Sequence, residues 1–320
     1  MKVRVLLLVS IALLIFFVSL FLGPVPINPF SLSGTEREIV LFIRLPRVIV
    51  AALMGTALGA AGAVLQGMLR NPLADPYILG LSSGATLTAS AGIISGMTFM
   101  GAFTIPVLAF AGAMATGALV GLMGWRRGGL LPERLLLAGI GLGFLFSAVV
   151  MLLMSVSTNE GLRRAVMWMF GDLGMADWGL IPSGAVFIAL GLVIAMLRAK
   201  ALNSLILGDD LSHSLGFSPR KETVLLFTAT GLLTASSVSL GGMVGFVGLI
   251  MPHIMRFFVG PDSRVLIPAS AIGGGMLLVV ADLIGRTVFQ PTELPSGIIT
   301  ALLGAPYFLY LLRRRDVLGI

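Results

Sequence analysis

Long apolar runs follow one another along almost the entire 320-residue chain, and most are close to the roughly 20 residues that cross a bilayer. Charges and clusters of Gly, Pro, Asn and Asp separate about ten such runs, near residues 4–22, 47–69, 78–96, 103–124, 135–156, 179–198, 223–241, 243–255, 266–285 and 297–312. Backbone polar groups in lipid have no water to bond, so apolar runs of this length cross as helices. The sequence therefore predicts an all-α membrane protein with about ten transmembrane helices, forming a single polytopic domain over residues 1–320.

The first and eighth apolar runs differ from the others. The first follows the charged start Met1 to Arg4 and has no small-residue cleavage pattern before Pro24, so we expect a retained helix rather than a signal peptide. The eighth is too short to span unaided and follows Gly241-Gly242, which indicates a tight turn at the outer face before a half-length helix. Irregular backbone at membrane depth survives only where protein or a water-filled cavity covers it, so this region is predicted to belong to a pathway.

Charged residues make up 11% of the chain, and Lys and Arg exceed Asp and Glu to give a net charge of +7. In so apolar a chain we expect this excess to set the orientation in the membrane rather than to bind nucleic acid. With the amino terminus inside, fifteen of the 21 Lys and Arg residues are cytoplasmic, and six are outside: Arg37, Arg44, Arg47, Arg163, Arg164 and Arg286. This bias predicts that both termini are cytoplasmic and that the protein lies in the cytoplasmic (inner) membrane, in contact with lipid.

The chain lacks the residues that several kinds of chemical site require. It has no cysteine, and its two histidines, His213 and His253, are 40 positions apart, which disfavours a metal centre. None of its three lysines follows a glycine-rich loop, so we expect no phosphate-binding P-loop. The chain is therefore predicted not to be an enzyme and to hold no cofactor of its own. If ATP and Mg²⁺ drive it, they bind a partner ATPase.

An ion-coupled secondary transporter that works alone is the competing class. Such transporters usually carry ionisable side chains at mid-membrane, where each is costly and is retained for function. The predicted spans are almost free of them, and the main exception is Asp282. Arg286 follows four residues later on the same helical face, so an ion pair at a helix end is the simplest interpretation. Ion coupling is therefore the weaker hypothesis.

Four blocks of sequence resemble the FecCD-type permeases of ATP-binding-cassette (ABC) importers for siderophores, haem and cobalamin. They lie in order along the chain, at residues 44–85, 208–216, 241–253 and 281–306. The first contains Arg44-Leu45-Pro46-Arg47 and the sequence NPLADP at 71–76, and the second reads GDDLSHSLG. Ser212 in the second block departs from the alanine that is usual in the family. We expect little consequence, because the side chain stays small.

The resemblance implies a type II ABC importer permease fold and an assembly of several chains. Two permease copies, as a homodimer or as a heterodimer with a sister chain, would enclose the pathway between them. ABC ATPase subunits and an extracytoplasmic substrate-binding protein would complete the importer. The cargo implied is a metal chelate, first an iron(III)–siderophore complex, with cobalamin or haem as the alternatives.

The segment at about 199–221 would, by this resemblance, be the coupling element that docks on the ATPase. The residues that match the family's motif are Gly208, Asp209, Asp210, Ser212, Leu215 and Gly216. From the residues alone, a solvated surface helix is the competing interpretation. The two aspartates suit the positive amino-terminal end of a short helix, and Gly216 would end it.

Two further sets of residues receive roles from the resemblance. Arg44, Arg47 and Arg286 would accept acidic residues of the binding protein, whereas snorkelling to lipid headgroups is the alternative that needs no partner. Asn71 and Leu73 would form part of an inner gate, in addition to terminating the second helix at Pro72.

Overall fold

The computed structural model describes residues 2–25, 27–30, 33–126 and 129–313. Arg127, Arg314 and Arg315, three of the side chains assigned to the cytoplasmic side, lie outside these residues. Within the described part the fold is almost entirely helical. Its α-helices are α1 Lys2–Phe21, α2 Gly34–Glu38, α3 Leu45–Met68, α4 Leu81–Ile94, α5 Thr104–Gly124, α6 Pro132–Ser155, α7 Asn159–Met169, α8 Leu180–Leu197, α9 Ala199–Ile206, α10 Asp209–Ser214, α11 Pro219–Gly241, α12 Val247–Val259, α13 Ser263–Thr287 and α14 Ser296–Arg313.

Several shorter elements connect these helices. A π-helical segment, Ile39–Arg44, joins α2 to α3 without a break. Single 3₁₀ turns occupy Pro76–Leu79, Gly101–Phe103 and Leu173–Met175. One small antiparallel pair of strands, β1 Trp125–Arg126 and β2 Gly129–Leu130, lies between α5 and α6.

The all-α membrane class is confirmed, and the predicted count of about ten spans is slightly off. In the described part of the chain, seven helices are long and apolar enough to cross a membrane, and α4, α12 and α14 are shorter apolar helices. The 13 residues of α12 extend about 20 Å at 1.5 Å per residue, less than the hydrocarbon thickness of roughly 30 Å. Such short helices need neighbours to complete the crossing.

Helix α3 occupies the centre of the bundle and packs against α11, α12 and α13. Glycines permit the closest of these approaches. A Cβ atom on Gly55 would lie 2.1 Å from the Gly274 carbonyl oxygen of α13, and one on Gly62 would lie 1.8 Å from the Gly248 carbonyl oxygen of α12. Small residues let membrane helices come this near.

The predicted break before the short eighth helix is present. Helix α11 ends at Gly241, irregular backbone follows to Phe246, and α12 then begins. Protein covers this backbone: the Val244 N–H donates to the Tyr77 hydroxyl at 3.0 Å. A side chain at Gly242 would collide with the Trp168 carbonyl oxygen. Non-helical backbone is tolerated at membrane depth under such cover.

Candidate functional site

Helix α3 runs from Leu45 to Met68, and its two ends define the two ends of the bundle. The α10 end holds α9, α10 and the carboxyl end of α3, and the arginine end holds Arg44, Arg47 and Arg286. The residues that the sequence singled out fall into two clusters, one at each end.

At the α10 end, the segment 199–221 forms α9, α10 and the first turn of α11. Glycines with positive φ bound α10, Gly208 at +123° and Gly216 at +85°. After the helix, the Gly216 N–H donates to the His213 carbonyl and the Phe217 N–H donates to the Ser212 carbonyl at 3.1 Å. This pair of bonds is the Schellman motif, which favours glycine because of its left-handed backbone. The predicted short helix and its glycine stop are thus present.

Ser212 is the one fully buried side chain of α10. Its hydroxyl lies 2.9 Å from the Ser204 hydroxyl of α9, and this bond fixes α10 on α9. The departure from alanine therefore has a partner that the sequence did not reveal. On the other side of α10, Asp210, Leu211 and Leu215 are exposed. The helix is seated on one face and presents an acidic and apolar surface on the other.

Helix α9 is in turn bonded to the start of α13. The Asn203 amide donates to Asp262 Oδ1 at 2.8 Å, and its Oδ1 accepts from the Ser263 N–H at 2.9 Å. Asp262 is the N-cap of α13, where its carboxylate also accepts from the Arg264 N–H and side chain. The hydrogen bond from Arg264 is the main reason that the pKa of Asp262 lies well below its usual value, and the bond from Asn203 lowers it further.

The turn that carries Asn71 and Leu73 follows α3 at the same end. Asn71 Oδ1 accepts from the Leu73 N–H at 2.9 Å, and Asp75 Oδ1 accepts from the Tyr77 N–H at 2.8 Å. Both side chains bond their own backbone two residues on, which holds the chain in tight turns. Asn71 and Leu73 are half-buried. The helix-terminating role is confirmed, and the role in a gate stays a prediction.

At the arginine end, Arg44 lies inside the protein and is only 4% exposed. Its guanidinium donates to the carbonyl oxygens of Leu20 at 3.1 Å and Phe21 at 2.8 Å, and also to that of Val25. Leu20 and Phe21 end α1, where carbonyl groups lack partners within the helix. Arg44 therefore caps the carboxyl end of α1. The sequence did not reveal this role, because every residue carries a carbonyl group and only packing selects those that Arg44 meets.

Arg286 and Arg47 share one buried carboxylate. Arg286 donates to the Ser19 carbonyl of α1 and lies 3.6 Å from Asp282, four residues earlier, as the spacing predicted. Arg47 donates through Nε to both Asp282 oxygens, at 2.9 and 3.2 Å, and through Nη1 to Glu293 at 2.6 Å. Asp282 is 1% exposed, so two guanidinium groups neutralise a charge held away from water.

These contacts bear on the predicted docking arginines. The guanidinium groups of Arg44 and Arg286 are buried, so snorkelling to lipid headgroups is wrong for these two. All three arginines have partners within the chain, and Arg47 alone keeps part of its side chain exposed. Docking of a binding protein at this end stays a prediction.

Two cavities lie beside these clusters. One, of about 630 Å³, is a groove between α4 and α6 that reaches the irregular backbone before α12; among the described residues its walls are uncharged and include Ser83, Thr86, Ser147, Met151, Met154 and Met243. The other, of about 590 Å³, opens at the arginine end beside Arg47 and Glu293.

Comparison with known proteins agrees with this architecture. The model of the FecCD transport family matches residues 11–314. The hemin transport system permease protein HmuU of Yersinia pestis is 39% identical over 319 residues, covering 95% of this chain and 94% of its own. The iron(3+)-hydroxamate import system permease protein FhuG of Bacillus subtilis is 38% identical over 316 residues, covering 94% of each chain.

A relative for another cargo and a solved structure extend the comparison. The cobalamin import system permease protein BtuC of Halobacterium salinarum is 40% identical over 290 residues, 90% of this chain and 77% of its own. A structure described as an inward-facing conformation of a metal-chelate type ABC transporter superposes with a TM-score of 0.90 at 30% identity, covering 98% of this chain and 99% of that one. The fold, the ordered motifs and these relatives lead to one conclusion: the chain belongs to the FecCD transport family, as the permease subunit of an ABC importer.

Proposed function

We propose that this permease carries a metal chelate, most simply an iron(III)–siderophore complex, inward across the cytoplasmic membrane, with both of its termini in the cytoplasm. The relatives named for hemin, hydroxamate siderophores and cobalamin support the class of cargo, and haem and cobalamin are the alternatives. ATP hydrolysis on a partner ATPase would supply the free energy, and ATP and Mg²⁺ would bind there.

The observation that carries this proposal is the form of α10. A helix of six residues between two glycines with positive φ, fixed underneath by buried Ser212, presents Asp210, Leu211 and Leu215 outward. Exposed leucines on a firmly seated helix form a surface suited to a protein partner. We assign ATPase contact to Asp209, Asp210 and Leu215, and the seating and bounding of the helix to Gly208, Ser212 and Gly216.

The substrate path would pass along the groove between α4 and α6. Exposed apolar side chains continue its walls on α6, including Ile140, Phe144 and Met151. A second permease copy placed against this face would cover those side chains and enclose the groove. The uncharged wall suits a chelate whose metal charge is masked by its ligand, because an ion without such cover is costly in an apolar passage.

An extracytoplasmic binding protein would dock at the arginine end. Arg47 is the arginine of the three that a carboxylate of this partner can reach, since its Glu293 contact lies at the surface. Arg44 and Arg286 would support docking at Arg47 indirectly, by holding α1, α3 and α13 together around Asp282. Charge-assisted contacts of this kind confer orientation and a faster association rate.

One reconstitution tests the proposal. The permease, its ATPase and its binding protein are placed in liposomes, and uptake of four probes is measured: a radioactive iron(III)–hydroxamate complex, ferric citrate, hemin and cobalamin. We expect accumulation of an iron chelate that requires ATP and both partners. Accumulation by the permease alone under a proton or sodium gradient would instead identify a secondary transporter.

A further inference from the structure

Arg70 lies between the two segments at the α10 end to which functions have been assigned. Its Nε donates to the Leu205 carbonyl oxygen of α9 at 2.8 Å. Its Nη2 bonds and ion-pairs with Asp209, the first residue of α10. The next residue in the chain is Asn71, which begins the turn of the predicted gate. One side chain therefore joins the end of α3 to both short helices of the coupling segment.

The backbone of Arg70 has a conformation that arginine seldom adopts, with φ at +50°. The Arg70 N–H donates to the Gly67 carbonyl at 3.2 Å, and the Asn71 N–H donates to the Gln66 carbonyl at 3.0 Å. These two bonds form a Schellman motif, and Arg70 occupies the left-handed position in which glycine is the usual residue. In α10, Gly216 fills the equivalent position. Arginine at this place is strained where glycine would not be.

Stability does not account for an arginine at this position. The side chains of Arg70 and Asp209 are 46% and 67% exposed, and ion pairs so open to solvent contribute little to folding. Glycine at this position could not make the side-chain contacts with α9 and α10. Two nitrogens of the guanidinium donate at once, one to the Leu205 carbonyl and one to Asp209. Arginine can do this because its planar group carries several donors in a fixed arrangement.

We infer that Arg70 is a positioning residue that transmits displacement of α10 to the turn at 71–76. The inference rests on the proposed coupling role of α10 and the proposed gate role of that turn. When an ATPase shifts α10, Asp209 and Leu205 carry the Arg70 guanidinium with them. The Arg70 backbone is followed directly by Asn71, whose Oδ1 holds the Leu73 N–H at 2.9 Å. Leu73 therefore responds to α10 through covalent and hydrogen bonds alone.

Arg70→Gly tests the side-chain contacts without disturbing the turn, because glycine favours the left-handed backbone and has no side chain to bond α9 and α10. The complete importer is reconstituted with its ATPase and binding protein. We expect ATP hydrolysis near the wild-type rate, while uptake of the transported chelate per ATP falls about tenfold, within the usual range of coupling between sites. Arg70→Asn, which also tolerates this backbone, should behave alike and serves if the glycine variant folds poorly. Arg134→Ala removes an exposed arginine of α6 at the same end and should change neither quantity.

A second measurement follows the gate directly. Since the chain has no cysteine, Leu73→Cys provides a single site for a charged maleimide. With Arg70 present, the labelling rate should change when ATP is added, and with Arg70→Gly it should not. An unaltered uptake per ATP and an unaltered labelling response in Arg70→Gly would overturn the inference. A wild-type importer without ATP-dependent uptake would instead overturn the proposed function.

Discussion

Arg47 and Asp282, 235 positions apart in the chain, are joined by hydrogen bonds from Arg47 Nε to both carboxylate oxygens, at 2.9 and 3.2 Å. The contact connects the start of α3 to the last turns of α13. Ser296, the first residue of α14, adds a third hydrogen bond to the same carboxylate at 3.3 Å. Three helices that are distant in sequence therefore meet at one buried charge.

Replacing Asp282 with Asn should lower the free energy of unfolding by about 3–5 kcal/mol, because it leaves the buried Arg286 guanidinium without its counter-charge and leaves Arg47 with Glu293 alone. Denaturant titration of the purified protein in detergent measures the change. Glu160→Gln breaks the exposed pair with Arg164 and should cost less than about 1 kcal/mol. Equal effects of the two substitutions would show that the Asp282 cluster contributes no more than a surface pair.

Gly55→Ala should destabilise the bundle by about 1–3 kcal/mol or more, since the new methyl group would meet the Gly274 carbonyl and force α3 from α13. The matched control is Gly141→Ala in α6, where a Cβ has open space and alanine is the better helix former. Thermal unfolding in detergent compares the two. A tolerated Gly55→Ala would mean that the two helices can separate at little cost.

Ser212 offers a test of the seat beneath α10. Ser212→Leu should abolish uptake and ATPase association while the protein still reaches the membrane, because a larger side chain must lift α10 from Ser204. Ser212→Ala removes only the hydroxyl contact, a loss on the order of 1 kcal/mol, and should retain transport. Both are measured by uptake in cells and by recovery of the ATPase with the permease from membranes. Wild-type uptake by the leucine variant would contradict the assigned coupling role.

The α9–α13 junction should lose stability in acid. The pKa of Asp262 is lower in the folded protein than its ordinary value. The ionised carboxylate therefore contributes to stability above the unfolded pKa of about 4, and this contribution is lost as the pH falls below that value. Hydrogen exchange at the Ser263 amide, followed from neutral pH downward, measures this after correction for intrinsic rates. Asp262→Asn should remove the pH dependence. An amide equally protected at neutral and acid pH would exclude a contribution from the carboxylate.

The affinity of the permease for its binding protein should depend on Arg47, and part of this dependence should weaken as the salt concentration rises. Arg47→Lys keeps the charge but loses the forked donors, so it should weaken docking less than Arg47→Ala, and the alanine variant should also bind with less dependence on salt. Affinity for the cognate binding protein is measured at low and physiological salt. Arg37→Ala, at an exposed position on α2, is the control for charge alone. Equal affinity of wild type and Arg47→Ala would remove Arg47 from the docking site.

Local signals in the sequence were enough to predict the helices and the short elements of the site. Apolar length located the spans, Gly241 and Gly242 predicted the break before α12, and Gly216 predicted the end of α10. Each of these depends on a few neighbouring residues, so a linear pattern can reveal it. The family motifs then supplied the order of the blocks.

The partners of the arginines could not be predicted in this way. Arg44 bonds to carbonyls of Leu20 and Phe21, and Arg286 bonds to that of Ser19, yet a carbonyl group is present at every position of the chain. Only packing selects which of them an arginine meets. The same holds for Ser204 beneath Ser212, where an ordinary hydroxyl becomes a specific partner through the fold.

The capping of α1 has a consequence for how the protein is made. Helix α1 is almost unburied along its length, with 11% of its span inside the protein, and its carboxyl end is held by Arg44, just before α3, and by Arg286 of α13. Arg286 follows Ser19 by 267 residues, so synthesis delivers α1 well before the arginine of α13 that holds it. Helix α1 must therefore remain in the lipid without its final attachment until α13 has been made, and a nascent chain halted before α13 would leave it only partly anchored.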